Sequence, residues 1–207
     1  MSILAQILEL KLIAIIRGAE PDDVVKIAGA LYSGGIRILE ITMNSMEPLH
    51  AIKAVADKLG DKMIIGAGTV LDAKSAKQAA AAGAKFILSP IANEDIIETA
   101  KRLGVISIPG AFTATEIYNA YKNGADIIKV FPAISPSYIK DLSGPLPQIK
   151  LLPTGGINLE NIKAYKKAGA AGFGIGSALV DTKKEINQKY LLQLTGKAQE
   201  FINAISE

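Results

Sequence analysis

Along its 207 residues the chain alternates short apolar runs with longer stretches of helical period, and this alternation restricts the fold more than any single residue does. The apolar runs are Leu12–Ile16, Ile38–Met43, Met63–Gly68, Phe86–Ser89, Val105–Ile108, Ile127–Phe131, Ile149–Leu152 and Gly172–Ile175. Between them Asp22–Tyr32, Leu49–Leu59, Ala73–Ala82, Asp95–Leu103, Thr115–Lys122 and Leu159–Ala168 carry helical spacing. Glycine lies just past a helix end at Gly34, Gly83, Gly104, Gly124 and Gly169, where a left-handed cap meets no side-chain clash, and an apolar run resumes soon after. This makes about eight strand–helix units, the count at which a parallel sheet closes into a (β/α)8 barrel. An open, doubly wound sheet shares the alternation and is the rival architecture. The expected fold is α/β, a single-domain (β/α)8 TIM barrel over residues 1–207, with Ile3–Leu10 as an extra N-terminal helix at one end and Lys184–Ile205 as a long closing helix.

Composition removes several functions. A hydrophobic fraction of 49% is enough to bury a large core. The net charge is only +3, from 23 basic and 20 acidic residues that are scattered, so no basic stripe tracks a nucleic-acid backbone. Cysteine is absent, which excludes disulfides and thiolate chemistry. A single histidine, His50, on a predicted helix, cannot supply a His-rich metal site and reads as a surface or packing residue. The N-terminal segment has no basic start and no cleavage site of a signal peptide, and no stretch reaches the length of a membrane span. The expected location is the cytoplasm, with neither membrane nor nucleic acid as a partner.

In a barrel, reactive groups gather at the C-terminal ends of the strands. Lys129 stands inside the run Ile127-Ile128-Lys129-Val130-Phe131, where an ammonium would be poorly solvated. Burial disfavours the charged form, and a neutral lysine amine is the nucleophile that forms imines with carbonyl compounds. Lysines in apolar strands also occur at strand ends with the head in water, or paired with a carboxylate. Alternation places Lys129 with Ile127 and Phe131 on one face, and Ile128 with Val130 on the other. Within Ile38-Leu39-Glu40-Ile41-Thr42, Glu40 is a carboxylate flanked by apolar neighbours, and it needs a partner. Lys129 and Glu40 account for each other, either as a structural ion pair or as the amine and acid/base of imine chemistry.

Three glycine-bearing strand ends complete the pattern. Gly66-Ala67-Gly68-Thr69-Val70 lets backbone and a hydroxyl approach a ligand, or simply turns the chain. Pro153-Thr154-Gly155-Gly156-Ile157 and Gly174-Ile175-Gly176-Ser177 follow strands seven and eight, where such barrels hold phosphate on exposed N–H groups with a following helix N-terminus. Gly174-Ile175-Gly176 is no dinucleotide fingerprint, because no acidic ribose partner ends a following strand. Arg17, closing the first strand, can neutralise a carboxylate or phosphate, or remain a surface residue.

With these motifs in place the chain resembles the 2-keto-3-deoxy-6-phosphogluconate (KDPG) and 4-hydroxy-2-oxoglutarate aldolases, class I enzymes. The resemblance rests on the order and spacing of Ile15-Ile16-Arg17, Leu39-Glu40-Ile41-Thr42, Gly66-Ala67-Gly68-Thr69-Val70, Ser89-Pro90, Pro109-Gly110, Lys129-Val130-Phe131-Pro132, Pro153-Thr154-Gly155-Gly156 and Gly176-Ser177-Ala178-Leu179. It implies that Lys129 forms the imine and that Glu40 is the acid/base, acting through a water. It further implies that Arg17, Thr69, Ser89, Pro90, Phe131 and Thr154 contact the substrate, and that Gly155, Gly156, Gly176 and Ser177 hold its phosphate. A homotrimer, no metal and no organic cofactor are also implied. The chain departs from many KDPG aldolases in one place: Asn44 replaces the arginine four residues after the glutamate, and Asn44-Ser45 is closer to relatives acting on the galactonate-derived epimer. The implied reaction is reversible cleavage of a 2-keto-3-deoxy-6-phosphosugar acid to pyruvate and glyceraldehyde 3-phosphate. Rival activities are cleavage of 4-hydroxy-2-oxoglutarate to pyruvate and glyoxylate, phosphosugar isomerisation or epimerisation, and sugar-phosphate binding without turnover.

Overall fold

Helices in this chain form where an apolar stripe meets a cap. The computed structural model of the protein describes residues 1–206; Glu207, the last residue of the expected domain, lies outside them. Helix α2 (Pro21–Ser33) starts on a proline and buries Val24, Ile27, Ala28 and Leu31, one face at helical spacing. Asp72 caps α4 (Ala73–Ala81) and Asn93 caps α5 (Glu94–Leu103) by accepting from the third helical N–H. Thr113 and Glu116 close a capping box on α6 (Ala114–Lys122). The remaining helices are α1 (Ile3–Leu10), α3 (Pro48–Leu59), α7 (Pro136–Ser143), α8 (Ile162–Lys167) and α9 (Gln188–Ser206). His50 is exposed on α3.

The strands are β1 (Leu12–Ile16), β2 (Ile38–Thr42), β3 (Ile64–Gly68), β4 (Phe86–Leu88), β5 (Ile106–Ile108), β6 (Gly110–Ala111), β7 (Ile128–Val130), β8 (Leu151–Pro153) and β9 (Phe173–Ile175). All pairings are parallel, in the order β5-β4-β3-β2-β1-β9 and β6-β7-β8. The sheet curls until these two parts meet. At one seam Thr154 bridges Gly174. At the other, Ile127, Lys129 and Phe131 donate in turn to the carbonyls of Ser107, Pro109 and Ala111, at 3.3, 2.9 and 3.2 Å. Thus β5 and β6 form one extended segment interrupted at Pro109, which has no N–H for the ladder.

Two apolar layers result from the two faces of the strands. Ala14, Ile16, Leu39, Ile41, Ile65, Ala67, Ile128 and Val130 pack under the helices. Ile13, Ile38, Ile64, Phe86, Leu88, Ile108, Ile127 and Leu152 face inward, joined by Ile7 of α1. The inward positions two residues further along β2 and β7 carry Glu40 and Lys129.

Four expectations need correction. Gly34 is not left-handed, with φ −81°; the left-handed turn falls on Gly35, φ 95°. Gly34 is instead required by close packing, because a methyl there would overlap the Thr195 carbonyl and Ala198 of α9. Helix α7 lies outside the expected helical stretches, although Ser135 caps it and Pro136 opens it. The closing helix begins at Gln188, not Lys184, since Asn187 accepts from Tyr190 N–H at 3.0 Å and fixes the start. Helix α8 begins at Ile162, not Leu159, because Asn158 accepts from the N–H groups of Glu160 and Asn161, holding them in a turn.

Candidate active site

Inward-facing residues at the C-terminal ends of the strands open into a pocket of about 720 Å³. Of the residues singled out from the sequence, Arg17, Thr69, Pro90, Lys129, Phe131, Thr154, Gly155, Gly156, Gly176 and Ser177 line it. Glu40 and Ser89 are buried behind the lining. The Ser89 hydroxyl accepts from Ile91 N–H at 3.3 Å, so this side chain turns toward its own loop.

Lys129 projects inward from β7 and is 4% exposed, with Nζ 4.7 Å from the centroid of the Phe131 ring. Burial pushes its pKa below the usual lysine range; the Glu40 carboxylate opposes that shift and the Arg17 guanidinium adds to it. Glu40, 1% exposed on β2, lies in register between Ile15 and Gly66. Burial raises its pKa to about 7, although both Lys129 and Arg17 pull it down. Neither carboxylate oxygen accepts a hydrogen bond from another group of the protein among the described residues. Of the two readings open for this pair, a direct ion pair is not formed among the described residues, and the two groups interact through space. A glycine makes room for the acid: a methyl at Gly68 would overlap the Glu40 carboxylate.

Arg17 holds the edge of the pocket. Its Nη1 donates to Asn44 Oδ1 at 3.0 Å and to Thr69 Oγ1 at 3.3 Å, joining the ends of β1, β2 and β3. Thr69 has φ 54°, a left-handed conformation that a β-branched residue rarely adopts. On the far side Thr154 is buried, while Gly155 and Gly156 are left-handed, with φ 85° and 77°. Among the described residues neither loop runs directly into a helix. After Gly176-Ser177 there is only a turn, with Leu179 and Val180 donating to Gly176 O at 2.8 and 2.9 Å, and after Gly155-Gly156 the helix waits until Ile162.

The pocket also takes in Ile15 of the Ile15-Ile16-Arg17 motif, and Asn158, Asp181, Thr182 and Lys183, for which the sequence carries no signal. Residues 181–183 carry no period of their own. They reach the site because Thr182 Oγ1 donates to Arg17 O at 2.7 Å and Asp181 N donates to Tyr190 Oη at 2.9 Å. Among the described residues no group of three or more histidine or acidic side chains gathers as a metal site, and no helix is long and apolar enough to cross a membrane.

This arrangement can perform a defined chemistry. An amine that burial makes easier to deprotonate can attack a carbonyl, and a carboxyl group half-ionised near neutrality can both give and take a proton.

Known proteins agree with that chemistry. Over 174 residues the chain is 40% identical to a 2-dehydro-3-deoxy-6-phosphogalactonate aldolase of Escherichia coli, covering 83% of this chain and 85% of that protein. It is 39% identical over 147 residues to a 2-dehydro-3-deoxy-phosphogluconate aldolase of Treponema pallidum, 70% of each chain. The fold superposes on a KDPG aldolase of Legionella pneumophila, captured with pyruvate as a covalent carbinolamine intermediate, with a TM-score of 0.84 and 28% identity, covering 96% of this chain and 97% of that one. Residues 3–194 match the sequence model of the KDPG and KHG aldolases. With the match running through the strands that carry the buried amine, the buried acid and the glycine loops, the chain belongs to the KDPG and KHG aldolase family.

Proposed function

We propose that this protein is a class I aldolase that reversibly cleaves a 2-keto-3-deoxy-6-phosphosugar acid into pyruvate and glyceraldehyde 3-phosphate. The observation that carries the reading is the buried Lys129 amine with its pKa lowered, facing a buried Glu40 held near 7. Lys129 Nζ adds to the C2 carbonyl, and loss of water gives a protonated imine. The C4 hydroxyl then loses its proton, the C3–C4 bond breaks, and its electron pair moves into the enamine as the aldehyde departs. Protonation at C3 and hydrolysis of the imine release pyruvate and restore the amine. Glu40 moves the protons. Having no direct bond to Lys129, it has its oxygens available for a water or a substrate hydroxyl.

Arg17, Thr69 and Pro90, with Ser89 behind them, bound the end where the keto-acid carboxylate sits, and Phe131 packs beside the imine nitrogen. Thr154 faces the chain of the sugar acid, and Gly155, Gly156, Gly176 and Ser177 receive the phosphate through backbone N–H groups. The scaffold is a single-domain (β/α)8 barrel, its inner core closed at the N-terminal end by α1. The protein works as a cytoplasmic homotrimer, a reading that rests on the family resemblance.

Borohydride with pyruvate should leave a reduced adduct on Lys129, found by mass spectrometry of the peptide, and Lys129→Ala should abolish both adduct and cleavage. An unmodified Lys129 in a protein that retains aldolase activity would overturn the assignment. Gluconate and galactonate epimers, phosphorylated and not, together with 4-hydroxy-2-oxoglutarate, form the panel that identifies the substrate.

A further inference from the structure

Arg17 is held in a way that substrate binding alone does not require. Its side chain donates to two neutral acceptors, Asn44 Oδ1 at 3.0 Å and Thr69 Oγ1 at 3.3 Å. The turn that bears Asn44 also holds the backbone beyond Arg17, since Gly18 N donates to Ser45 Oγ at 2.9 Å and Ser45 Oγ lies 2.9 Å from Thr42 Oγ1. From the opposite side Thr182 Oγ1 donates to Arg17 O at 2.7 Å. Thr69 offers its hydroxyl from a left-handed backbone, a strained conformation of the kind that clusters at working sites. Yet among the described residues no carboxylate forms an ion pair with Arg17. The guanidinium is fixed in direction by neutral partners and has no ion-pair partner among the described residues.

We propose that Asn44 is a positioning residue: as a neutral acceptor it aims the Arg17 guanidinium at the carboxylate of the 2-keto acid bound to Lys129. The inference rests on the aldolase reading and adds to it the reason for an amide at this position. The charge of Arg17 is felt by both Lys129 and Glu40, which places it within electrostatic reach of the imine carbon, to which that carboxylate is attached. An aspartate at 44 would keep the acceptor but consume the charge that the substrate needs.

The test is a double-mutant cycle on the full chain: native, Asn44→Ala, Arg17→Ala and the double variant. It reads the half-saturating pyruvate concentration for borohydride trapping, and kcat and KM for cleavage. Asn44→Ala should raise half-saturation and KM about tenfold, in line with loss of a hydrogen bond to a charged group, and lower kcat by less. In the Arg17→Ala background the same substitution should add nothing, because its effect passes through the guanidinium. Asn44→Asp should also raise half-saturation, which a purely geometric role would not produce. Equal losses in both backgrounds, or a native-like Asn44→Asp, would overturn the proposal. The native protein's own adduct on Lys129 reads the aldolase assignment separately, so an additive cycle removes the role of Asn44 and leaves that assignment standing.

Discussion

Replacing Glu40 by glutamine should stabilise the protein at neutral and alkaline pH while disabling it. In the fold this carboxyl group has a pKa of about 7, against an ordinary 4.5, and burial is the main cause. Below pH 4.5 the acid is protonated in both folded and unfolded chains and has no effect on the pH dependence. Between 4.5 and 7 the folded chain retains a proton that the unfolded chain has released, so stability falls as pH rises. Each tenfold change in acidity is worth about 1.4 kcal/mol, so the accumulated cost of ionising Glu40 in the fold is about 3 kcal/mol above pH 7. Glutamine has the same shape and no charge to desolvate. Urea denaturation at pH 4.5, 6, 7 and 8 should show the gap between Glu40→Gln and native protein widening by about 3 kcal/mol in favour of the variant, with most of the change between pH 5 and 7. Over the same range kcat should drop by roughly 10²–10⁴, the usual worth of a positioned acid/base. A stability gap independent of pH would refute the buried, raised acid. Near-normal turnover would make Glu40 a structural residue only.

Two glycines give independent tests of the packing. Gly68→Ala puts a methyl where the Glu40 carboxylate lies. Its kcat should fall toward that of Glu40→Gln while the Lys129 adduct with pyruvate still forms, and unchanged kcat would show that the acid can work from another position. Gly34→Ala drives a methyl into the Thr195 carbonyl and Ala198, and should cost about 1–3 kcal/mol in urea denaturation, as overpacking does, without altering the KM of the folded enzyme. A neutral Gly34→Ala would mean that α2 and α9 separate freely.

Much of this protein is legible in one dimension because its regularities are local. Runs such as Leu12–Ile16 and Ile64–Gly68 must be strands buried on both faces, and Val24, Ile27, Ala28 and Leu31 recur at the spacing of one helical face, so the α/β alternation follows from hydrophobic period alone. Strand alternation likewise places Lys129 on the face of Ile127 and Glu40 on the face of Ile38. Those two residues are legible as chemistry because a charge in an apolar strand demands a reason. Other features depend on contacts between segments far apart in the chain. The left-handed turn itself is local, falling on Gly35 just past the helix end, but the requirement for glycine at 34 comes from α9, more than 150 residues later, which occupies the space beside it. Asp181, Thr182 and Lys183 carry no motif, and they enter the pocket only because Thr182 bonds to the carbonyl of Arg17. The strength of the Lys129–Glu40 coupling, the lack of a direct bond between them and the aim of Arg17 between Asn44 and Thr69 all depend on distances across strand ends. Local period and composition state which groups must be buried; how far burial moves a proton equilibrium depends on the neighbours that only the folded sheet assembles.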